Sequence, residues 1–476
     1  MRGTCFVAVA CRGARHFAQN TNEQVVRAMK QDVLPIKKGL EFFAFLIKAA
    51  GLALSINVFG TGLAFLLQII LARHLGAEAY GVFSYVFAWM SLLIVMVSGG
   101  FSISALKFIP LYIQKGAPDQ ARNVINYAEH VCLQGCLVMG LAAVCFGYIL
   151  SSDISHDLAM TALVASVAVP LVAYLRLRSA ALRGLGLIGW ALIPESIVRD
   201  GVILALIAAL VIALATPITA PMSMAIFILG VTASLLVVSK KLNQVLPSRD
   251  TSKPRPGQQR EWRRVSRSIG VEVLAQLLLR RIDILLVGIL LDTTSAGYYA
   301  AASRISEIIQ YPLAAINSIA YPHVAKLHAI GERARLQRLV STTSVITGAG
   351  ALAIGIPIIW FAPLILSQFG SSFVVATGAL FWLIAAHVVN AFSGSIGALL
   401  TMTGHQNQSA IIMLCIVAIS AVLNIILIPI WGISGAAIAN VLSVAVWRLT
   451  LSWIIWRKLK ILPGIGGLFL KPRHQP

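Results

Sequence analysis

Charged side chains are scarce in this chain. Asp, Glu, Lys and Arg make up 12% of its 476 residues, about half the ~25% usual in soluble globular domains. With 58% hydrophobic residues and a mean hydropathy of +0.85, too little solvating surface is left for a soluble enzyme or regulatory domain of this length. Stretches of alternating apolar and polar residues are missing as well, which excludes an outer-membrane β-barrel. The six cysteines, Cys5, Cys11, Cys132, Cys136, Cys145 and Cys415, form no C-x-x-C and have no histidine at zinc spacing, so neither a metal site nor a redox dithiol is encoded. Cys132 and Cys136, one helical turn apart in an apolar segment, read as small packing residues. No G-x-x-x-x-G-K-[ST] occurs, which excludes ATP hydrolysis by a P-loop. Gly184-Leu-Gly186-Leu-Ile-Gly189 fits G-x-G-x-x-G but lacks a preceding strand, and reads as a turn between helices.

Long apolar runs fill the space that charge leaves. They predict an all-α polytopic membrane protein of about twelve spans: 50–72, 80–105, 124–150, 158–175, 190–214, 222–239, 267–291, 297–322, 341–366, 374–400, 409–429 and 434–456. The imbalance of 38 Lys and Arg over 17 Asp and Glu would point to nucleic acid in a soluble protein. In a membrane protein it reflects retention of basic loops in the cytoplasm, so no nucleic-acid partner is implied. Of the 38, 32 fall in alternate connections and the two tails, and one, Arg73, falls on the opposite side. That asymmetry predicts a multi-pass protein with both termini cytoplasmic.

The organisation expected is a cytoplasmic segment and interfacial lead-in over 1–49, an N-terminal lobe over 50–240, a basic linker over 241–266, a C-terminal lobe over 267–457 and a cytoplasmic tail over 458–476. The linker carries Pro247, Pro254, Pro256 and Gly257 and reads as flexible. Leu75-Gly-Ala-Glu-Ala-Tyr-Gly81 joins spans one and two, and Leu291-Asp-Thr-Thr-Ser-Ala-Gly297 joins spans seven and eight, 216 positions later. Six helices per half keep both halves in one orientation, so the echo reads as a parallel repeat around a central cavity. In the first ~40 residues Phe6–Cys11 is too short for a secretory signal, and translation is expected to begin at Met29.

Five arginines fall inside spans: Arg199, Arg280, Arg281, Arg304 and Arg448. The acids at similar depth are Glu195, Asp200, Glu272, Asp283 and Glu307. Ionisable groups there are functional candidates, because each costs about 2.5–3.5 kcal/mol at a helix centre. Glu195 and Arg199 are i,i+4, a spacing at which they can pair on one helix face. Glu272, Gln276, Arg280 and Asp283 draw a polar stripe along span seven; Arg304, Glu307, Gln310 and Asn317 draw one along span eight. Arg280 and Arg281 project ~100° apart, and a single Asp283 cannot neutralise both. One of them is therefore expected to face a water-filled cavity or an anionic ligand. Arg448, ~12 Å from the cytoplasmic end by helix rise, either lines that cavity or snorkels.

Three segments carry a family resemblance: Ala72-Arg73-His74-Leu75-Gly76-Ala77-Glu78-Ala79-Tyr80-Gly81; Arg281-Ile282-Asp283 followed by Ala296-Gly297-Tyr298-Tyr299-Ala300; and Leu423-Asn424 through Pro429 and Gly432 to Asn440. From about residue 45 to 460 the chain resembles the polysaccharide-transporter branch of the multidrug/oligosaccharidyl-lipid/polysaccharide exporter superfamily, the O-antigen (Wzx-type) flippases. The resemblance implies a non-enzymatic flippase of a bacterial inner membrane, without cofactor. It implies alternating access and carriage of an undecaprenyl-pyrophosphate-linked oligosaccharide for O-antigen or exopolysaccharide, driven by H⁺ or Na⁺. Membrane lipid, a polysaccharide polymerase and a chain-length regulator are the other partners it implies. Arg199, Arg280, Arg281, Arg304 and Arg448 would then form the cationic substrate cavity, and Glu195, Asp200, Glu272, Asp283 and Glu307 would serve ion coupling or charge pairing. A multidrug or cation exporter of the same superfamily would need an acidic cavity, against which the paired arginines count. A membrane polymerase would need a large outer loop, and none of the outer loops exceeds about ten residues.

Overall fold

The computed structural model describes residues 39–149, 155–214, 218–246, 256–311, 332–394 and 406–459, with scattered positions in 313–327. Met29, the linker core 247–255 and the tail from 460 lie outside these. The described residues are helical throughout and contain no strand.

The first helix, α1, runs Gly39–Ser98 over 60 residues. At 1.5 Å per residue that length is about three times the hydrocarbon thickness of a bilayer, so the chain must fold back. It does so at Gly76, where φ is 74° and ψ 177°, a conformation that costs a residue with a Cβ but not glycine. The Tyr80 hydroxyl, on the returning arm, donates to Gln68 Oε1 at 2.9 Å. The motif read as a loop between two spans is therefore a reversal inside nearly continuous helix. α2 (Phe101–Gln114), α3 (Pro118–Ile149) and α4 (His156–Gly184) follow, with the glycine-rich stretch after α4 forming a turn at Gly186 (φ 81°). α5 (Ile188–Leu192) passes through a π-helical turn, Ile193–Val198, into α6 (Arg199–Leu214), and α7 spans Ala220–Val245.

After the linker come α8 (Pro256–Leu290), α9 (Thr293–Ser306) ending in a 3₁₀ turn at Glu307–Gln310, α10 (Arg333–Trp360), α11 (Ala362–Ser367) and α12 (Thr377–Phe392). Asp292 caps α9, its carboxylate accepting from the Ser295 amide at 2.7 Å. α13 (Gln406–Leu459) reverses at Gly432 (φ 59°), three residues past Pro429. α8 begins ten residues earlier than the linker was expected to end. Its first turns are held by Trp262, which is 0% exposed and donates to the Tyr112 hydroxyl at 2.9 Å. Burying an indole with its N–H satisfied outweighs the helix-breaking and charged residues that made this segment read as flexible.

α4 packs against α7, α1 and α2; α8 packs against α13, and α12 against α13 and α10. The two sets of helices meet where α1 crosses α9 and α8. At one end a Cβ on Gly81 would collide with the Thr293 backbone, and a Cβ on Gly297 would lie 2.7 Å from Gly81 Cα and 3.0 Å from the Ala77 carbonyl oxygen. By the 216-residue offset 77 corresponds to 293 and 81 to 297, so Gly81 meets its own counterpart Gly297, and the contact of Gly81 with Thr293 is mirrored by that of Gly297 with Ala77; the echo seen in the sequence touches itself across the interface. Buried Phe369 and Phe373 fill the same end: Phe65 lies 5.9 Å from Phe369, and Tyr80 and Tyr298 lie 5.6 and 5.4 Å from Phe373. Arg73 closes it, donating to the Gln368 carbonyl at 2.6 Å and to its Oε1 at 3.0 Å. At the opposite end Gly100 meets Gly270 backbone to backbone and the Ser104 and Ser266 hydroxyls share a 2.6 Å hydrogen bond. The outer surface is apolar, with Ile212 85%, Trp360 79% and Leu449 70% exposed, as a protein solvated by lipid requires.

Candidate functional site

Between the two sets of helices lies a cavity of about 170 Å³. Its walls come from both arms of α1 (Thr61, Phe65, Gln68, Phe83, Phe87), from α6 (Arg199, Asp200, Ile203), from α7 (Ser223, Phe227), and from the end of α9 and the residues after it (Arg304, Glu307, Tyr311). A smaller space of about 20 Å³ adjoins it, sharing Gln68, Phe83, Phe87 and Arg304 and adding Tyr80, Ser84 and Arg281. The apolar wall is aromatic: Phe83 and Phe87 stack at 6.0 Å, and Phe87 meets Phe227 edge-on at 5.6 Å.

Three of the arginines singled out in the sequence, Arg199, Arg281 and Arg304, reach these spaces. Arg199 does not pair with Glu195. It clamps its neighbour Asp200, Nε to Oδ1 at 2.6 Å and Nη2 to Oδ2 at 3.1 Å. The cause is the π-helical turn at Ile193–Val198. A π-turn bonds i to i+5, so residues four apart no longer share a face. Glu195 instead lies within electrostatic range of Arg176. Arg304 pairs with Glu307 one turn on, Nη1 to Oε2 at 3.1 Å. Arg281 has its Nε buried with no hydrogen-bond partner among the described residues, and its charge neighbours are Arg304, Glu307, Arg280 and Arg176.

Asp283 turns away from the arginines. It is 2% exposed and accepts from three neutral donors: Tyr299 Oη at 2.8 Å, Asn424 Nδ2 at 2.9 Å and Asn440 Nδ2 at 2.7 Å. The polar stripe expected along span seven is thus divided, with Arg280 exposed, Arg281 at the cavity and Asp283 inside the C-terminal set. Glu272 is half-buried two residues past Gly270 and lines neither space. Arg448 lines neither and lies 4.2 Å over the Trp447 ring. Glu129, at a span end, is taken by Arg178 Nε at 2.8 Å. Among the described residues no group of His, Cys, Asp and Glu is arranged to hold a metal ion, and Cys132 is a buried free thiol.

Two residues within electrostatic range of the site's charges escaped the sequence reading. Arg176 was placed in a connection, yet α4 continues to Gly184 and carries it into range of Arg199 and Arg281. The seven-residue spacing to Arg183, two helical turns on one face, was the available signal. His387, on α12, is a charge neighbour of Glu307 and Arg280, and a lone histidine in an apolar run gave no such indication.

The model of the family described as "Polysaccharide biosynthesis protein" matches residues 46–328, more than half of the chain. The chain belongs to that family. A curated relative, the "Probable low-salt glycan biosynthesis flippase Agl15" of Haloferax volcanii, is 26% identical over 411 residues, covering 82% of this chain and 79% of its own. Among solved structures, the inward-facing conformation of a multidrug resistance MATE family transporter of the MOP superfamily superposes with a TM-score of 0.70 at 16% identity, over 86% of this chain and 98% of that one. The lipid II flippase MurJ in an inward closed conformation superposes at 0.65, again at 16% identity, over 85% and 87%. At that identity the two likenesses establish the fold. This polysaccharide biosynthesis protein is therefore a multi-pass membrane protein with a transporter fold, as its sequence implied.

Proposed function

We propose that this family member is a flippase for glycan biosynthesis, moving a polyprenyl-pyrophosphate-linked oligosaccharide, with undecaprenyl as the carrier, from the cytoplasmic to the outer leaflet of a bacterial inner membrane. The observation that carries the reading is the cavity where Arg199 from one set of helices faces Arg304 from the other, with Arg281 at the adjoining space. Guanidinium forks match phosphate oxygens in geometry and charge, and a site supplied from both sides is coupled to any movement of one set against the other. At about 170 Å³ the cavity falls below the ~300–1,000 Å³ of pockets that enclose a drug-sized ligand. It suits a compact diphosphate, while sugars and prenyl chain need the space that opens when the halves separate.

In this reading the halves are two six-helix lobes, the termini are cytoplasmic, and the Gly81–Gly297 end faces outward. Closure of that end by the aromatic cluster and Arg73 supports an inward-directed state. Asp283 is the group we assign to coupling with H⁺ or Na⁺, because its hydrogen-bond partners Tyr299, Asn424 and Asn440 are neutral and leave its charge for the ion. A polymerase and a chain-length regulator that take up the outward-delivered glycan for O-antigen or exopolysaccharide are the expected partners. The three arginines at the cavity speak against a cation exporter.

Deleting the gene and quantifying polyprenyl-linked glycans by mass spectrometry tests the reading. Build-up of a diphosphate-linked oligosaccharide in the cytoplasmic leaflet supports it and identifies the glycan. An unchanged lipid pool in a strain without a redundant flippase refutes it.

A further inference from the structure

The two arginine–carboxylate pairs on the cavity wall are not equivalent. Asp200 is buried, its side chain 3% exposed, and both its oxygens are taken by the fork of Arg199. Glu307 is open to the cavity, its side chain 34% exposed, and a single bond of 3.1 Å joins it to Arg304, itself 29% exposed. Removing Asp200 from its partner would strand a buried carboxylate, which is costly. Removing Glu307 returns it to a wet space, and exposed pairs contribute little. Glu307 also has Arg281 and Arg280 around it besides Arg304, so the surroundings stay positive when it yields.

Resting on the flippase reading above, we infer that Glu307 is a resident counter-anion. It occupies Arg304 while the cavity is empty and yields it to a phosphate oxygen of the diphosphate, whereas Asp200 keeps Arg199 aimed and does not yield. Arg281, with its Nε unpartnered among the described residues at the adjoining space, is the arginine left open to an anion beside Arg304. One consequence is discrimination: a diphosphate spans Arg281 and Arg304 and can displace Glu307, while a monophosphate engages Arg281 alone. A second is cycling. An empty cavity with its arginines uncompensated resists closure in a low-dielectric interior, and Glu307 supplies the missing charge on the return. It is a positioning residue, acting through Arg304.

The test is calorimetric titration of the purified full-length protein in detergent with inorganic pyrophosphate and, separately, inorganic phosphate, alongside flipping of a diphosphate-linked lipid in proteoliposomes. Glu307→Gln is expected to tighten pyrophosphate binding about tenfold, the equivalent of releasing one competing ion pair, and to slow flipping. Asp200→Asn is expected to leave pyrophosphate binding unchanged or weaker. Arg304→Gln is expected to weaken it about tenfold, and Glu307→Gln combined with Arg304→Gln should bind no better than Arg304→Gln alone. Glu307→Ala repeats the charge removal with a different side chain, guarding against a fold defect of the amide. Equal pyrophosphate affinity in wild type, Glu307→Gln and Glu307→Ala overturns the inference, as does a gain in the double variant. If wild type flips lipid and Glu307→Gln binds no tighter, only this inference falls. If wild type neither binds pyrophosphate nor flips lipid, the flippase reading falls with it.

Discussion

At the scale of single residues, the in-membrane charges divide by what they touch. Arg281 reaches a cavity while Arg448 rests on Trp447, although both looked alike as arginines in apolar runs. Replacing Arg280 and Arg281 together by alanine is expected to abolish complementation of a deletion strain, whereas Arg448→Ala is expected to retain it; loss in both would refute the assignment of the cavity. Asp283 allows a sharper energetic statement. Asn440 donates to its Oδ2 at 2.7 Å, and Asn440→Leu leaves a buried acceptor short of one partner, a loss of about 1–3 kcal/mol. Thermal unfolding in detergent should report it as a Tm lower than that of wild type. None of Asp283's partners could be read from local spacing, because Asn424 and Asn440 lie 141 and 157 residues away. The resemblance motifs did contain all four residues, but as separate strings with no hint that they converge.

At the scale of elements, glycine governs how the helices turn and how closely they cross. The turn positions were legible: Gly76 and Gly432 sit inside motifs already marked as span junctions, and both adopt positive φ. The crossings were not. Gly81 and Gly297 were visible as a repeated letter, while their mutual contact appears only when α1 and α9 are brought together. Gly81→Leu would wedge that crossing apart. The expected result is transport reduced by an order of magnitude or more, since insertion of bulk at a close-packed contact costs about 1–3 kcal/mol. A cysteine placed at Phe369 should simultaneously gain reactivity toward an impermeant maleimide, and unchanged labelling would show that this contact does not hold the end shut. The far end is held by Trp262, a residue the basic segment around it disguised. Trp262→Ala is expected to destabilise the protein by about 3–5 kcal/mol, measured as a fall in Tm, with no dependence on substrate.

For the whole molecule, the excess of basic residues, a net charge of +21, concerns orientation more than ligand binding. Alkaline phosphatase fused in the 75–81 or 291–297 connection should be active, and fused near 250 or after 459 inactive. The reverse pattern would invert the direction proposed for flipping. The repeat has a mechanical meaning at this scale. Gly81 against Gly297, and Gly81 against Thr293 mirrored by Gly297 against Ala77, are the contacts that two like-oriented halves would make on meeting about a shared axis. Rocking about such an axis, as the flippase reading proposes, would change both ends of the interface at once, and the arginines lie between them.

The sequence alone determined the membrane class, the helical state and the places where helices reverse. The reason is that a helix satisfies its own backbone hydrogen bonds, so in lipid its existence depends on local composition and on glycine at the turns. Tertiary structure decided which charges meet. A π-helical turn moved Arg199 from Glu195 to Asp200, helix packing drew Asp283 to Tyr299, Asn424 and Asn440, and the crossing of the two sets gathered Arg199, Arg281 and Arg304. Pairing inside a membrane depends on distances between helices far apart in the chain, and residue spacing within a single helix does not contain them.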